Sequence, residues 1–182
     1  MVALVPETIS EFFECCSMTV RKQKKMPLKL KNIDLIVYDF DGVLTDNRVL
    51  VFDDGHEAVF CSRADGLAIG LIKKAGIPQI ILSMEENRVV ETRARKLGID
   101  VLYGIQDKKM VLTDYCRKNN YDLRRVLYIG NDINDLEVMG VVGHPLAPQD
   151  ARPSVKRISK MIIARNGGDG VVRELFGKFL NH

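Results

Sequence analysis

Residues 33–38 form an almost unbroken apolar run in which only Asp34 is polar, which predicts a short strand buried on both faces. Residues 50–53 and 57–61 are β-prone and flank the turn dipeptide Asp54-Gly55, so they predict a hairpin. The pattern then alternates. A helix over 65–75 precedes a strand over 78–82, and a helix over 86–97, closed by Gly98, precedes a strand over 100–103. A helix over 107–118, a strand over 126–129 and a helix over 134–139 follow, then a short strand near Val141, a strand over 161–163 and a last helix over 170–180. Strands alternating with helices of this length predict an α/β fold, a parallel sheet with helices on both faces. Residues 1–31 stand apart. Pro6, Thr8 and Ser10 could open a short helix over 9–16, before a Lys/Arg-rich segment that runs to Pro27. The expected organisation is therefore an N-terminal extension over 1–31, partly helical or flexible, and one domain over 32–182. Met18 and Met26 leave open a start further downstream.

Composition narrows the class without naming a function. The 182 residues are 46% hydrophobic and 28% charged, the balance of a soluble single domain with a sizeable core. Twenty-seven Lys and Arg against 24 Asp and Glu give a net charge of +3, too mild to argue for nucleic acid. No basic stripe interleaved with aromatics is present, and the basic run over 21–25 reads as a solvated tail. No apolar stretch approaches the about 20 residues of a membrane span, and the opening residues lack the charged start and apolar run of a secretory signal. The four cysteines show neither metal-ligand spacing nor a disulfide framework, which points to ordinary thiols in a reducing cytoplasm.

Candidate chemistry gathers just after the predicted strands, where ligands of open α/β sheets bind. Asp39 and Asp41 follow the first strand, two residues apart and so able to face one cleft while Phe40 turns away. Gly42 permits a sharp turn that brings backbone N–H groups toward an anion. Ser83 follows the second sheet strand, Lys108 opens a later helix, and Asn131, Asp132 and Asp135 follow the strand over 126–129. Taken singly, each has a plain structural explanation as a cap, a turn or a solvated side chain. Together they match what phosphate-monoester cleavage requires. Asp39 suits a nucleophile, and Asp41 an acid that protonates the leaving alkoxide and then activates water. Lys108 and Ser83 supply positive charge and a donor to the phosphoryl oxygens. Carboxylates beside a dianion demand a cation, and Asp39 with Asp132 offers the hard oxygen site that suits Mg²⁺, with Asp135 outside it.

The order Asp39-x-Asp41-Gly42, Ser83, Lys108 and Gly130-Asn131-Asp132-x-x-Asp135 resembles the four motifs of the haloacid dehalogenase superfamily, from about residue 33 to 180. The resemblance implies a Rossmann-like sheet, Mg²⁺ held by Asp39, the Asp41 backbone carbonyl and Asp132, and the phosphatase roles of Asp39 and Asp41. The spacing leaves room for a small β-hairpin insertion and no cap domain. It is similar to the capless branch acting on 3-deoxy-D-manno-octulosonate 8-phosphate or on acylneuraminate 9-phosphates, including domains linked to CMP-sialic acid synthetases. Further matches are Thr45-Asp46, Arg63-x-Asp65-Gly66, Pro148-x-Asp150-Ala151 and Gly167-Gly168-x-Gly170-x-x-Arg173-Glu174. The branch implies a homotetramer whose neighbouring subunit closes the site, with Arg63 and the loop over 165–168, including Arg165, as cross-subunit contacts. Gly42, Thr45 and Glu85 join Arg63 and Arg165 as expected substrate contacts.

Met84 stands where the branch often has Gly. Glu85 falls where the nine-carbon acid phosphatases carry a substrate-contacting Glu, whereas octulosonate phosphatases tend to have Arg. The sequence therefore points to a phosphorylated nine-carbon sugar acid, with octulosonate 8-phosphate as the alternative. Two other classes compete: a non-catalytic assembly module attached to a synthetase, and a receiver-type phosphoacceptor domain. Retention of Asp39, Asp41, Lys108 and Asp132 argues against the first. Receivers also carry an acid pair on the first strand but take the phosphoryl group on an Asp of a later one. The strand over 100–103 has no such Asp at its end, and the chain length also argues against the second.

Overall fold

The computed structural model describes residues 30–180. The expected N-terminal extension lies, but for its last two residues, outside the described ones. The chain enters through β1 (Leu35–Tyr38), all four residues of which are buried. A hairpin of β2 (Thr45–Val51) and β3 (Glu57–Cys61) follows, then α1 (Arg63–Lys74), β4 (Gln79–Leu82), α2 (Val89–Leu97), β5 (Asp100–Leu102) and α3 (Lys108–Asn119). The second half comprises β6 (Val126–Ile129), α4 (Leu136–Met139), β7 (His144–Pro148), α5 (Pro153–Ile158), β8 (Met161–Ile163) and α6 (Val171–Leu180).

Six strands form one sheet in the order β5-β4-β1-β6-β7-β8, every neighbouring pair parallel. Strand side chains alternate between faces, and β1 shows the consequence. Ile36 and Tyr38 pack with Ile69 and Ile72 of α1 and Val172 and Leu175 of α6. Leu35 and Val37 pack on the opposite face with Leu112 of α3, Val138 of α4 and Val155 of α5. The expected α/β sheet with helices on both faces and a small hairpin is what the described residues form, and no cap domain is present among them.

Two expectations fail. No strand forms at Val141, which lies in a turn; the strand is β7, three residues later, and it contains Pro145 and Pro148. Proline within a run argues against a buried strand, since it cannot donate to the ladder. Here it is accommodated between two parallel neighbours, with Pro145 O accepting from Lys160 N–H at 2.8 Å. The hairpin also begins five residues early, at Thr45, because Thr45 pairs with Cys61 across an irregular register before regular pairing resumes at Val49–Val59. The short helix α5, with Pro153 in its first turn, was not anticipated by the periodicity.

The chain runs outward from β1 through β4 to β5, then returns to start again at β6 on the other side of β1. The sheet order therefore reverses between β1 and β6. In open α/β sheets the crevice at that reversal, beyond the carboxyl ends of the strands, is where ligands sit.

Candidate active site

Asp39 follows β1, and its N–H donates to Ile129 O at 2.9 Å, so the ladder between β1 and β6 fixes its place at the crevice. Its Oδ1 accepts from Phe40 N–H at 2.8 Å and from Lys108 Nζ at 2.8 Å. Phe40 is wholly buried, which anchors the bend between the two acids. Gly42 turns the chain with φ +79°, and a Cβ there would lie 1.9 Å from Asn131 Nδ2, so only glycine lets the loops after β1 and β6 approach this closely. Thr45 Oγ1 completes the turn: it accepts from the N–H groups of Gly42 and Asn47 and donates to Asp41 Oδ1 at 3.2 Å.

Lys108, the first residue of α3, is buried and donates at 2.8 Å to both Asp39 and Asp135. Asp135 is fully buried and also accepts from the Tyr128 hydroxyl and Asn131 N–H, each at 2.8 Å. It therefore joins the loop after β6 to the lysine. Burial works against the Lys108 charge, but the two carboxylates outweigh it and hold the ammonium above its usual value. Burial pushes the Asp39 carboxyl up, Asp135 adds to this, and Lys108 pulls the other way without restoring the ordinary range. Asp41 is raised as well, chiefly by burial, with the Thr45 hydrogen bond opposing.

These groups open into a cleft of about 480 Å³ lined by Asp39, Asp41, Ser83, Glu85, Asn131 and Asp132. Ser83 is buried, its Oγ accepting from Glu85 N–H at 3.1 Å. Asp132 Oδ1 accepts from Ile133 N–H at 2.7 Å and lies 3.4 Å from Arg152 Nε. Lys108 and Asp135 lie behind Asp39, outside the lining of the cleft. The expected catalytic and metal-holding residues are thus brought together.

The expected substrate contacts divide. Glu85 lines the cleft, whereas Gly42 and Thr45 are buried behind Asp41, shape the turn and do not face the cleft. Arg63, on the first turn of α1, and Arg165, after β8, are exposed and do not line the cleft of their own chain. Asn47, Met84, Asn134 and Arg152 line it without having been anticipated. Two carried a signal. Asn134 lies inside the 130–135 motif, and Arg152 directly follows Pro148-x-Asp150-Ala151. Arg152 N–H donates to Asn131 O at 2.9 Å, which draws the start of α5 to the cleft.

The donor set fits a small divalent cation. One buried ammonium stands between two buried carboxylates, Asp39 and Asp135, and Asp41 and Asp132 add negative charge beside it. Asn131 Oδ1 is buried with no hydrogen-bond partner. Among the described residues no three His, Cys, Asp or Glu side chains form a complete ligand cluster. Mg²⁺ takes one or two carboxylates and fills its octahedron with water and substrate phosphate, and Asp39 and Asp132 at the cleft can supply those carboxylates.

Residues 74–175 match the model of the haloacid dehalogenase-like hydrolases. The chain is 32% identical over 148 residues to the 3-deoxy-D-manno-octulosonate 8-phosphate phosphatase of Escherichia coli K12, covering 81% of this chain and 79% of that one. Its fold superposes with a TM-score of 0.83 on a Streptomyces avermitilis protein assigned to the same hydrolases, at 42% identity over 86% of this chain and 90% of that one. It superposes with a TM-score of 0.80 on the 3-deoxy-D-manno-octulosonate 8-phosphate phosphatase of Moraxella catarrhalis, at 29% identity over 84% and 88% of the two chains; that enzyme was solved with magnesium, phosphate and the sugar acid.

Proposed function

The chain belongs to the haloacid dehalogenase-like hydrolases, and on that premise we propose that it is a Mg²⁺-dependent phosphatase of 3-deoxy-D-manno-octulosonate 8-phosphate. The observation that carries the reading is the convergence of Asp39, Asp41, Ser83 and Asp132 on one cleft with Lys108 beneath. The Asp39 oxygen not held by Lys108 attacks phosphorus as the ester oxygen departs. Asp41 protonates that oxygen, leaving a phosphoryl group on Asp39. A water deprotonated by Asp41 then attacks phosphorus, which frees Asp39 and inorganic phosphate. Lys108 and the Ser83 hydroxyl hold the phosphoryl oxygens, and Asn131 and Asp135 keep Asp132 and Lys108 in place. Asp39, Asp132 and the Asp41 carbonyl would hold Mg²⁺, which would supply positive charge against the phosphoryl oxygens in this acidic cleft.

The relatives favour the eight-carbon acid over the nine-carbon acids suggested by Glu85. Glu85 remains the side chain placed to select among sugar hydroxyls, since it lines the cleft next to Ser83. The working assembly is a homotetramer in which a neighbour narrows the cleft, with Arg63 and Arg165 serving the adjacent subunit's site. Support comes from the hairpin: Val49, Leu50, Val51 and Phe60 are all more than half exposed, an apolar surface that a monomer rarely presents.

Phosphate release from octulosonate 8-phosphate, two nine-carbon acid 9-phosphates and hexose phosphates, with and without Mg²⁺, tests the reading. The expected result is strong preference for octulosonate 8-phosphate and loss of all activity on chelation. Preference for a nine-carbon acid would keep the chemistry and overturn the substrate. Silence toward every phosphate ester by the folded protein would overturn both.

A further inference from the structure

The Gly167-Gly168-x-Gly170 segment and Asp65 take no direct part in the chemistry above, yet both bear on the turn that carries Asp41. Residues 166–170 join β8 to α6 and pass against the back of residues 42–46. Gly168 N–H donates to Val43 O at 3.0 Å. A Cβ on Gly167 would stand 2.3 Å from Gly42 O, and one on Gly168, where φ is +69°, would stand 2.5 Å from Asp46 N. Both obstacles are backbone atoms, so no side-chain rotation relieves them. Either the turn moves or the loop does.

The loop is held where it is. Gly167 N–H donates to Asp150 Oδ1 at 3.0 Å, and Arg165 O accepts from Gln149 N–H at 2.8 Å. Beyond it, Asp65 Oδ1 accepts from Arg173 N–H at 2.9 Å, in the first turn of α6. Asp65 itself lies in the first turn of α1 and is 1% exposed. One buried carboxylate thus meets the amino-terminal ends of two helices, each of which favours negative charge. Val171 and Val172 are wholly buried just beside it.

On the other side, the turn's freedom is passed directly to the acid. Thr45 Oγ1 receives two backbone N–H groups of the turn and donates to Asp41 Oδ1. A shift of the 42–46 backbone therefore moves Asp41 relative to Asp39, which is fixed independently by β6 and Lys108.

We propose that residues 166–170 form a brace that sets the position of Asp41, with Gly167, Gly168 and Asp65 as positioning residues for proton transfer. The proposal rests on the acid–base role of Asp41. A methyl forced into contacts of 2.3 and 2.5 Å requires a displacement of about 1 Å, and an error of that size costs about 10²-fold in rate. Gly168→Ala is expected to lower kcat for a sugar phosphate by about that factor with KM nearly unchanged. With p-nitrophenyl phosphate, whose leaving group needs no proton, it should still give a stoichiometric burst of nitrophenolate before slow turnover. Asp65→Ala should act in the same direction, Asp65→Asn should restore activity because an acceptor remains, and Gly177→Ala should leave the rate unaltered, since its Cβ would meet nothing. Hydrogen exchange at amides 42–47 supplies a readout independent of substrate, and it should quicken in Gly168→Ala and Asp65→Ala. Unchanged exchange, wild-type kcat in both variants, or loss of burst and turnover in equal measure would overturn the brace. A wild-type chain inactive on every ester, with exchange at 42–47 still responding to Gly168→Ala, would sink the function and leave the brace standing.

Discussion

Lys108 sits between Asp39 and Asp135, 2.8 Å from each, so two negative charges face one positive charge in a buried place. Removing the lysine would leave carboxylates uncompensated, a change that costs about 3–5 kcal/mol when one partner of a buried pair is lost. Asp39 is in the opposite position. Its carboxyl is raised from 3.8 to about 8, burial being the main cause and Asp135 the next. A carboxyl whose value is raised on folding contributes stability in its protonated form, fully present below 3.8 and lost as pH climbs toward 8. In chelator, the wild type should therefore lose melting temperature across that window, while Asp39→Asn should lose less and be more stable at the alkaline end. Each 1 kcal/mol would move the midpoint by about 2–4 °C for a chain of this size. Thermal unfolding at a series of pH values decides it, and parallel curves for the two proteins would reject the account. The substitution should also abolish turnover, so stability and activity would change in opposite directions.

At the level of elements, the same chemistry depends on where strands stop. His144 opens β7, half-buried, and burial lowers its pKa below 6.5, with Lys160 and Arg125 adding to the effect. A lowered histidine favours the fold in its neutral form, so its contribution is present above about pH 6.5 and lost as pH falls below it. On going from pH 7 to pH 5, His144→Gln should gain stability relative to the wild type in urea unfolding; an unchanged difference between the two proteins would refute it. Legibility in the sequence followed local regularity. The strand over 126–129 and that over 161–163 were readable to the residue, because each is a short apolar run ending at a polar or helical signal. The gathering of Asp39, Asp41, Ser83 and Asp132 at one cleft, with Lys108 bonded to Asp39 behind it, was readable because polar groups recur just after the strand ends. β7 was not, since its two prolines look like loop until neighbours on both sides supply the pairing. Asn47 was not readable for a related reason: it reaches the cleft through the folding of the hairpin, which no local period encodes.

The whole molecule has one sheet edge where the candidate chemistry converges and one projection that the described residues leave largely exposed. The projection is the hairpin. Val49 pairs with Val59 and shares its face with Val51, while Leu50 pairs with Ala58, which shares the opposite face with Phe60. Apolar residues thus stand on both faces of a two-stranded ribbon, and such a ribbon is at best marginally stable in water unless something covers it. Phe60 is 72% exposed. The strand β2 leaves directly from the turn that holds Asp41, so whatever covers the ribbon also steadies the mouth of the cleft. A homotetramer in which hairpins pack together would satisfy both needs, and it would explain why Arg63 and Arg165 are exposed away from their own cleft. Phe60→Glu places a charge in the middle of that contact and should dissociate the assembly, which light scattering reads directly. If a neighbour completes the site, the dissociated protein should lose kcat/KM for the sugar-acid phosphate by at least tenfold, yet retain activity toward p-nitrophenyl phosphate, which is too small to need the neighbour. A dissociated chain with undiminished activity on the sugar acid would show that each subunit recognises its substrate alone, and the proposed roles of Arg63 and Arg165 would fall with the assembly.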